Sequence, residues 1–208
     1  MAKKAVGANP TLIVQKFLPF KLFIEENPSA TFKEACSDHF KLVPKEISIT
    51  KIEGDFCEID FPNGTSKTLE ILSETRPDKT EYKYIYTQVP ISAIYNDDLV
   101  QPRSIKYLQV YKIFQDLHKN PLHEPSSVRL SGPFTVGKNK LFMFDGQHKS
   151  IAKMLASKGI ETNLDIKIYI DFDQVQANYL VNSIQSRITK LILTKSEVAR
   201  KMGDEFRP

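Results

Sequence analysis

Hydrophobic and polar positions change period several times along this chain, and each change predicts an element. Residues 1–10 are polar and small, as expected of a mobile tail. Residues 11–24 carry Leu12, Ile13, Phe17, Leu18, Phe20, Leu22 and Phe23, broken by Pro19, which predicts a short strand or helix on each side. Phe32, Ala35, Cys36, His39 and Phe40 recur at helical spacing, with Ser29 or Thr31 as the cap and His39 as a packed or half-exposed helix residue. The period then drops to two. Ile47 and Ile49, then Cys57, Ile59 and Phe61, alternate with polar residues, and Pro62-Asn63-Gly64 predicts a hairpin turn with a returning strand over 65–72. A charged connector with Pro77 follows over 74–81. Residues 84–89 read as a strand. Ser104 is placed to cap a helix running to His118, buried through Tyr107, Val110, Tyr111, Phe114 and Leu117. Residues 128–130 read as a short strand and Gly137-Lys138-Asn139 as a turn. Ile166, Ile168 and Ile170 share one strand face. Asp173 caps a further helix, with Val175, Tyr179, Leu180 and Ile184 inward. Thr194, Ser196 and Glu197 suggest a capping box opening another one. The chain closes at Phe206-Arg207-Pro208 in mid-pattern, as expected of the front part of a longer protein.

The remaining stretch, 141–159, organises the rest. Leu141, Phe142, Met143 and Phe144 form an apolar run of strand length. Asp145-Gly146 is a turn signal, because Asp bonds the following backbone and Gly tolerates positive φ. From His148, the residues Ile151, Ala152, Leu155 and Ala156 fall on one helical face, and Gly159 is a natural stop. A helix that begins just after a glycine turn aims N–H groups and its positive dipole end at one point. Gln147, His148 and Lys149 there make a seat for an anion or phosphate. Two readings of the flanking residues stand side by side. Asp145 is the helix N-cap or orients His148; His148 is a first-turn residue or an acid–base or water-positioning group.

Composition changes this picture little. The 208 residues suffice for one good core, or one core with an appendage. A net charge of +4 permits nucleic acid as a partner without arguing for it. Cys36 and Cys57 make neither a disulfide scaffold nor a metal cluster, and no apolar run reaches membrane-spanning length, so a reduced, cytoplasmic protein without a membrane span is expected.

FDGQHK followed by SIAK at residues 144–153 resembles the DGQHR signature of a family typified by regulators of DNA phosphorothioation systems, and the matching loop of the ParB N-terminal and sulfiredoxin superfamily. Lys149 stands where the family has Arg, keeping the charge but losing the planar fork. Further boxes occur in the same order. VPISAI at 89–94 with Gln101-Pro102-Arg103 resembles the opening box. Residues 181–187, VNSIQSR, resemble ENiQR, and 193–199, LTKSEVA, resemble the start of the helix-turn-helix region behind it. The resemblance implies an α+β fold: a small ParB N-terminal/sulfiredoxin-like mixed sheet with packed helices over 81–190. Residues 1–80 are an N-terminal helix-and-hairpin appendage, and 191–208 the start of a further helical segment. Sulfiredoxin chemistry is not implied, since Gln147 stands where that enzyme has its cysteine.

What the resemblance implies for function is a nucleoside triphosphate, ATP or CTP with Mg²⁺, cradled by Gly146, Gln147, His148 and Lys149, with Arg103 and Arg187 adding charge. Asn182 helps hold the metal, although Val181 stands where ParB has its Glu. DNA is the partner, met by Lys190, Lys195, Arg200 and Lys201 through salt-dependent phosphate contacts, in a homo-oligomer, as a dimer. Slow NTPase activity in DNA modification, phage defence or mobile-element regulation fits this layout, with His148 and Asp145 as its catalytic residues. Two other readings compete: a metal-dependent DNA nuclease of the same fold, and a non-catalytic interaction module that docks through residues 1–80.

Overall fold

The computed structural model describes residues 11, 13–75, 79–117, 124–157 and 159–187, with side chains as far as Asn182. A π-helical turn, Ile13–Phe17, runs into helix α1, Leu18–Glu26. Pro19 lies in its first turn, just after the junction with the π-helical turn, so helical segments lie to either side of the proline as expected. Helix α2, Phe32–Glu34, continues as a π-helical turn, Ala35–His39. Thr31 is its N-cap, and its N–H donates to Glu34 Oε2 at 2.7 Å. His39 is half-buried among the rings of Phe20, Phe23 and Phe40. Burial, and to a lesser degree the Lys41 charge, hold its pKa below the usual imidazole value.

The alternating segments form two sheets. Strands β1 (Ile47–Glu53), β2 (Phe56–Asp60), β3 (Ser66–Glu70) and β8 (Gly137–Asn139) make an antiparallel sheet in the order β3-β2-β1-β8. The second sheet is mixed. It holds β4 (Leu72–Thr75), β5 (Glu81–Pro90), β6 (Ile94–Asn96), β7 (Ser126–Leu130), β9 (Leu141–Asp145) and β10 (Asn163–Ile170), in the order β4-β5-β10-β7-β9-β6. Helices α3 (Tyr107–Leu117), α4 (Gln147–Ala156) and α5 (Gln174–Arg187) complete the fold, which is α+β. Among the described residues no helix is long and apolar enough to cross a membrane.

One row of paired residues, Ile85, Ile168, Val128 and Met143, crosses four strands and lies inside the main apolar cluster. That cluster extends from Phe17 and Phe20 in the N-terminal segment to Ile151 and Leu155 of α4. The neighbouring row, Tyr84, Tyr169, Arg129 and Phe142, faces the other way, because side chains alternate along a strand. Phe144, Tyr169, Phe172, Ala177 and Val181 form a second cluster there, under α5.

Several expectations are corrected by this arrangement. Gly137-Lys138-Asn139, expected as a turn, is the strand β8, which pairs with Ile47, Ser48 and Ile49 and so completes the N-terminal sheet. Asn139 Oδ1 accepts hydrogen bonds from the N–H groups of Ser131 and Lys140 and from Ser131 Oγ, which fixes the chain beside it. The returning strand expected over 65–72 is split between β3 and β4, which belong to different sheets. Among the described side chains of α5 the inward ones are Ala177 and Val181, with Leu180 half-buried; Val175 and Tyr179 are exposed, and the side chain of Ile184 lies outside the described ones. Asp173 does cap this helix: Oδ1 accepts from the Gln176 N–H, and Gln176 Oε1 accepts from the Asp173 N–H.

Candidate functional site

Strand β9 ends in a bulge. Val128 pairs with Met143 but Ser127 pairs with Asp145, so two steps on β9 face one on β7, and Phe144 is the extra residue. Bulges re-aim the chain and end pairing; Met143 and Phe144, on opposite faces by the ordinary alternation of a strand, are both buried immediately before the turn. Gly146 then takes φ 107°, and a Cβ placed on it would stand 2.3 Å from the buried Ser126 Oγ and 2.7 Å from Ser126 Cβ. Both its conformation and its closeness to β7 therefore require glycine. Helix α4 begins at the next residue. Gly146 occupies the N-cap position with no side-chain cap, and its carbonyl accepts the Ser150 N–H at 2.8 Å. Asp145 is therefore not the helix cap, and no acidic residue lies in the first turn. The N-terminal amides keep their positive dipole end open.

This helix start forms one wall of a cleft of about 610 Å³. Asp145, Gly146, Gln147, His148 and Lys149 line one side; Gln101, Arg103, Ser104 and Lys106, with Gln109 and Ile113 of α3, line the other. One hydrogen bond ties the walls together, and Gln147 is held from behind. The Lys106 N–H donates to His148 Nε2 at 3.1 Å, and Gln147 Nε2 donates to the Met143 carbonyl at 3.2 Å and toward Asn96 Oδ1 at 3.5 Å. The loop after β6 is anchored from beneath. Asp97, 2% exposed, accepts from Arg129 Nε at 2.6 Å, and its carbonyl accepts the Gln101 N–H at 2.7 Å.

Charge in the cleft is mostly positive, with Arg103, Lys106 and Lys149 against Asp145. Burial, then the charges of Arg103 and Lys106, hold the His148 pKa below its usual value. Burial also lowers that of Lys149, although Asp145 and Glu124 pull it back up. Lys149 Nζ donates to the Glu124 carbonyl, which fixes the ammonium at the foot of β7.

Six of the residues predicted from sequence thus meet around one cavity: Arg103, Asp145, Gly146, Gln147, His148 and Lys149. Asn182 lies exposed on α5 and is not among the cleft-lining residues. Arg187 ends α5, and its side chain lies outside the described ones. Lys190, Lys195, Arg200 and Lys201 lie outside the described residues. Among the described residues no three His, Cys, Asp or Glu side chains cluster as a metal site.

Sequence reasoning missed Lys106 and misassigned Ser104. Helix α3 begins at Tyr107, with the Lys106 carbonyl accepting the Gln109 and Val110 N–H groups, so Ser104 lines the cleft instead of capping. The run Arg103-Ser104-Ile105-Lys106 before a helix carried a basic signal, but its meeting with His148 is a contact between residues 42 positions apart. Comparison of the chain with models of known protein families, with curated proteins and with solved structures finds no significant match.

Proposed function

We propose that this chain is a nucleoside-triphosphate-binding, DNA-associated protein of the ParB/sulfiredoxin-like, DGQHR type, with slow NTPase activity. The observation that carries this reading is the cleft, where a helix start without a side-chain cap meets Arg103, Lys106 and Lys149. Backbone N–H groups at a helix start and nearby cations are the common means of holding phosphate. A volume near 610 Å³ suits a ligand of nucleotide size. Gly146 lets β9 turn tightly against Ser126 of β7, which sets the start of the helix at the cleft wall. Mg²⁺ enters on the phosphates of ATP or CTP in this reading, and His148 is the imidazole in reach of them. DNA, a dimeric state and a cytoplasmic setting rest on the resemblance of the sequence boxes.

The test is calorimetric titration of the chain with ATP and with CTP in Mg²⁺, wild type against Arg103→Ala. Saturable binding of either nucleotide is expected. The variant should bind roughly 10- to 150-fold more weakly, the range for a lost hydrogen bond to a charged group. Absence of binding by both nucleotides would overturn the reading. DNA association is tested separately, as binding of duplex DNA that weakens with added salt.

A further inference from the structure

We propose, building on the anion-binding reading above, that the cleft takes up one proton together with its anion, turning Lys106 and His148 from mutual partners into two donors facing one ligand. The Lys106 backbone N–H donates to His148 Nε2 at 3.1 Å. An amide N–H cannot accept, so Nε2 carries no proton here and the neutral ring holds its hydrogen on Nδ1. Both residues lie on the cleft wall, each satisfying the other. A proton on Nε2 reverses this. The imidazolium donates from both nitrogens, its bond to the Lys106 N–H is lost, and both N–H groups become available to a phosphate oxygen.

Without an anion the proton is unfavourable. Arg103 and Lys106 from the loop and Lys149 from α4 add positive charge, opposed by Asp145 at the turn. Burial and the first two of these charges already depress the His148 pKa. A polyphosphate inverts the balance, since the attraction between a phosphate and a new positive charge in a partly desolvated cleft outweighs one neutral N–H···N bond. The proton comes from solvent, and no covalent bond other than N–H is made or broken.

The experiment is calorimetry of the full chain with Mg²⁺-ATP, Mg²⁺-CTP and inorganic pyrophosphate, at pH 7 in two buffers of different ionisation heat, wild type against His148→Gln. Glutamine can accept the Lys106 N–H but does not titrate. Wild type should take up about one proton more per bound anion than the variant, and its affinity relative to the variant should rise roughly tenfold per pH unit of acidification near neutrality. Equal proton exchange in the two proteins overturns the proposal and leaves the nucleotide reading intact. Binding of pyrophosphate with the extra proton, but of neither nucleotide, upholds the proposal and overturns the nucleoside reading. No binding of any of the three overturns both. If the variant does not fold, the His148 ring signals of wild type are titrated by NMR with and without pyrophosphate. An upward move of its pKa on binding is expected, and an unchanged one overturns the proposal.

Discussion

Gly146→Ala should destabilise the junction between β9 and α4 strongly. Two costs are separable. A non-glycine residue at φ 107° is strained, at about 1–3 kcal/mol. The new Cβ would also lie 2.3 Å from Ser126 Oγ, 2.7 Å from Ser126 Cβ and 3.2 Å from Ser126 Cα. Ser126 is 1% exposed in the paired strand β7, so it cannot swing aside, and relief requires β7 and β9 to part. Overpacking of this kind costs about 1–3 kcal/mol. The sum, about 2–6 kcal/mol, corresponds to a melting-point drop of roughly 5–20 °C for a chain of this size. Urea unfolding and calorimetry of the variant measure it. Gly54→Ala, at φ 58° with nothing within 4 Å, gives the smaller cost of the ordinary left-handed region without a clash, and Gly132→Ala, with open space around it, should be nearly neutral. Gly146→Ala with Ser126→Gly should recover the steric part alone. A Gly146→Ala protein as stable as wild type would refute the geometry drawn for the turn.

Asp97→Ala leaves the Arg129 guanidinium buried without its carboxylate, and should lower stability by about 3–5 kcal/mol in urea unfolding. It should also weaken anion binding in the cleft by releasing the loop that carries Arg103 and Lys106. Acid should destabilise the fold through histidine. His39 and His148 both have folded pKa values below the unfolded value near 6.5, so the unfolded chain binds more protons; their contribution is present above that pH and is lost as pH falls through the folded values. A melting-temperature series between pH 7.5 and pH 5 checks this, and His39→Gln should flatten it in part. Thr31→Ala removes the α2 cap and should cost about 1 kcal/mol by the same unfolding assay.

Features governed by local rules were legible along the chain. Leu141 to Phe144 as a strand, Asp145-Gly146 as a turn and Ile151, Ala152 and Leu155 as a buried helix face depend on chain stiffness and periodicity over a few residues, and each took its expected form. The Asp173 cap and the hairpin turn at Asn63-Gly64 belong to the same class. From these alone, five of the cleft residues, Asp145 to Lys149, were placed at the junction of strand and helix; Arg103 entered through the resemblance of the sequence boxes.

Features that depend on contacts between distant segments were set by packing. Gly137 to Asn139 has a turn's composition, and it is a strand because β1 offers an unpaired edge. Leu72 leaves β3's sheet because Tyr84, twelve residues on, pairs with it. Val175 and Tyr179 fit an inward stripe by spacing, yet Ala177 and Val181 face the sheet, since the packed rings of Phe144, Tyr169 and Phe172 fix how α5 is rotated. The pairing of Lys106 with His148 and of Asp97 with Arg129 leaves no periodic trace. A local pattern reports which face of an element is apolar; only packing selects which partner covers it, and so which polar groups are brought together at its end.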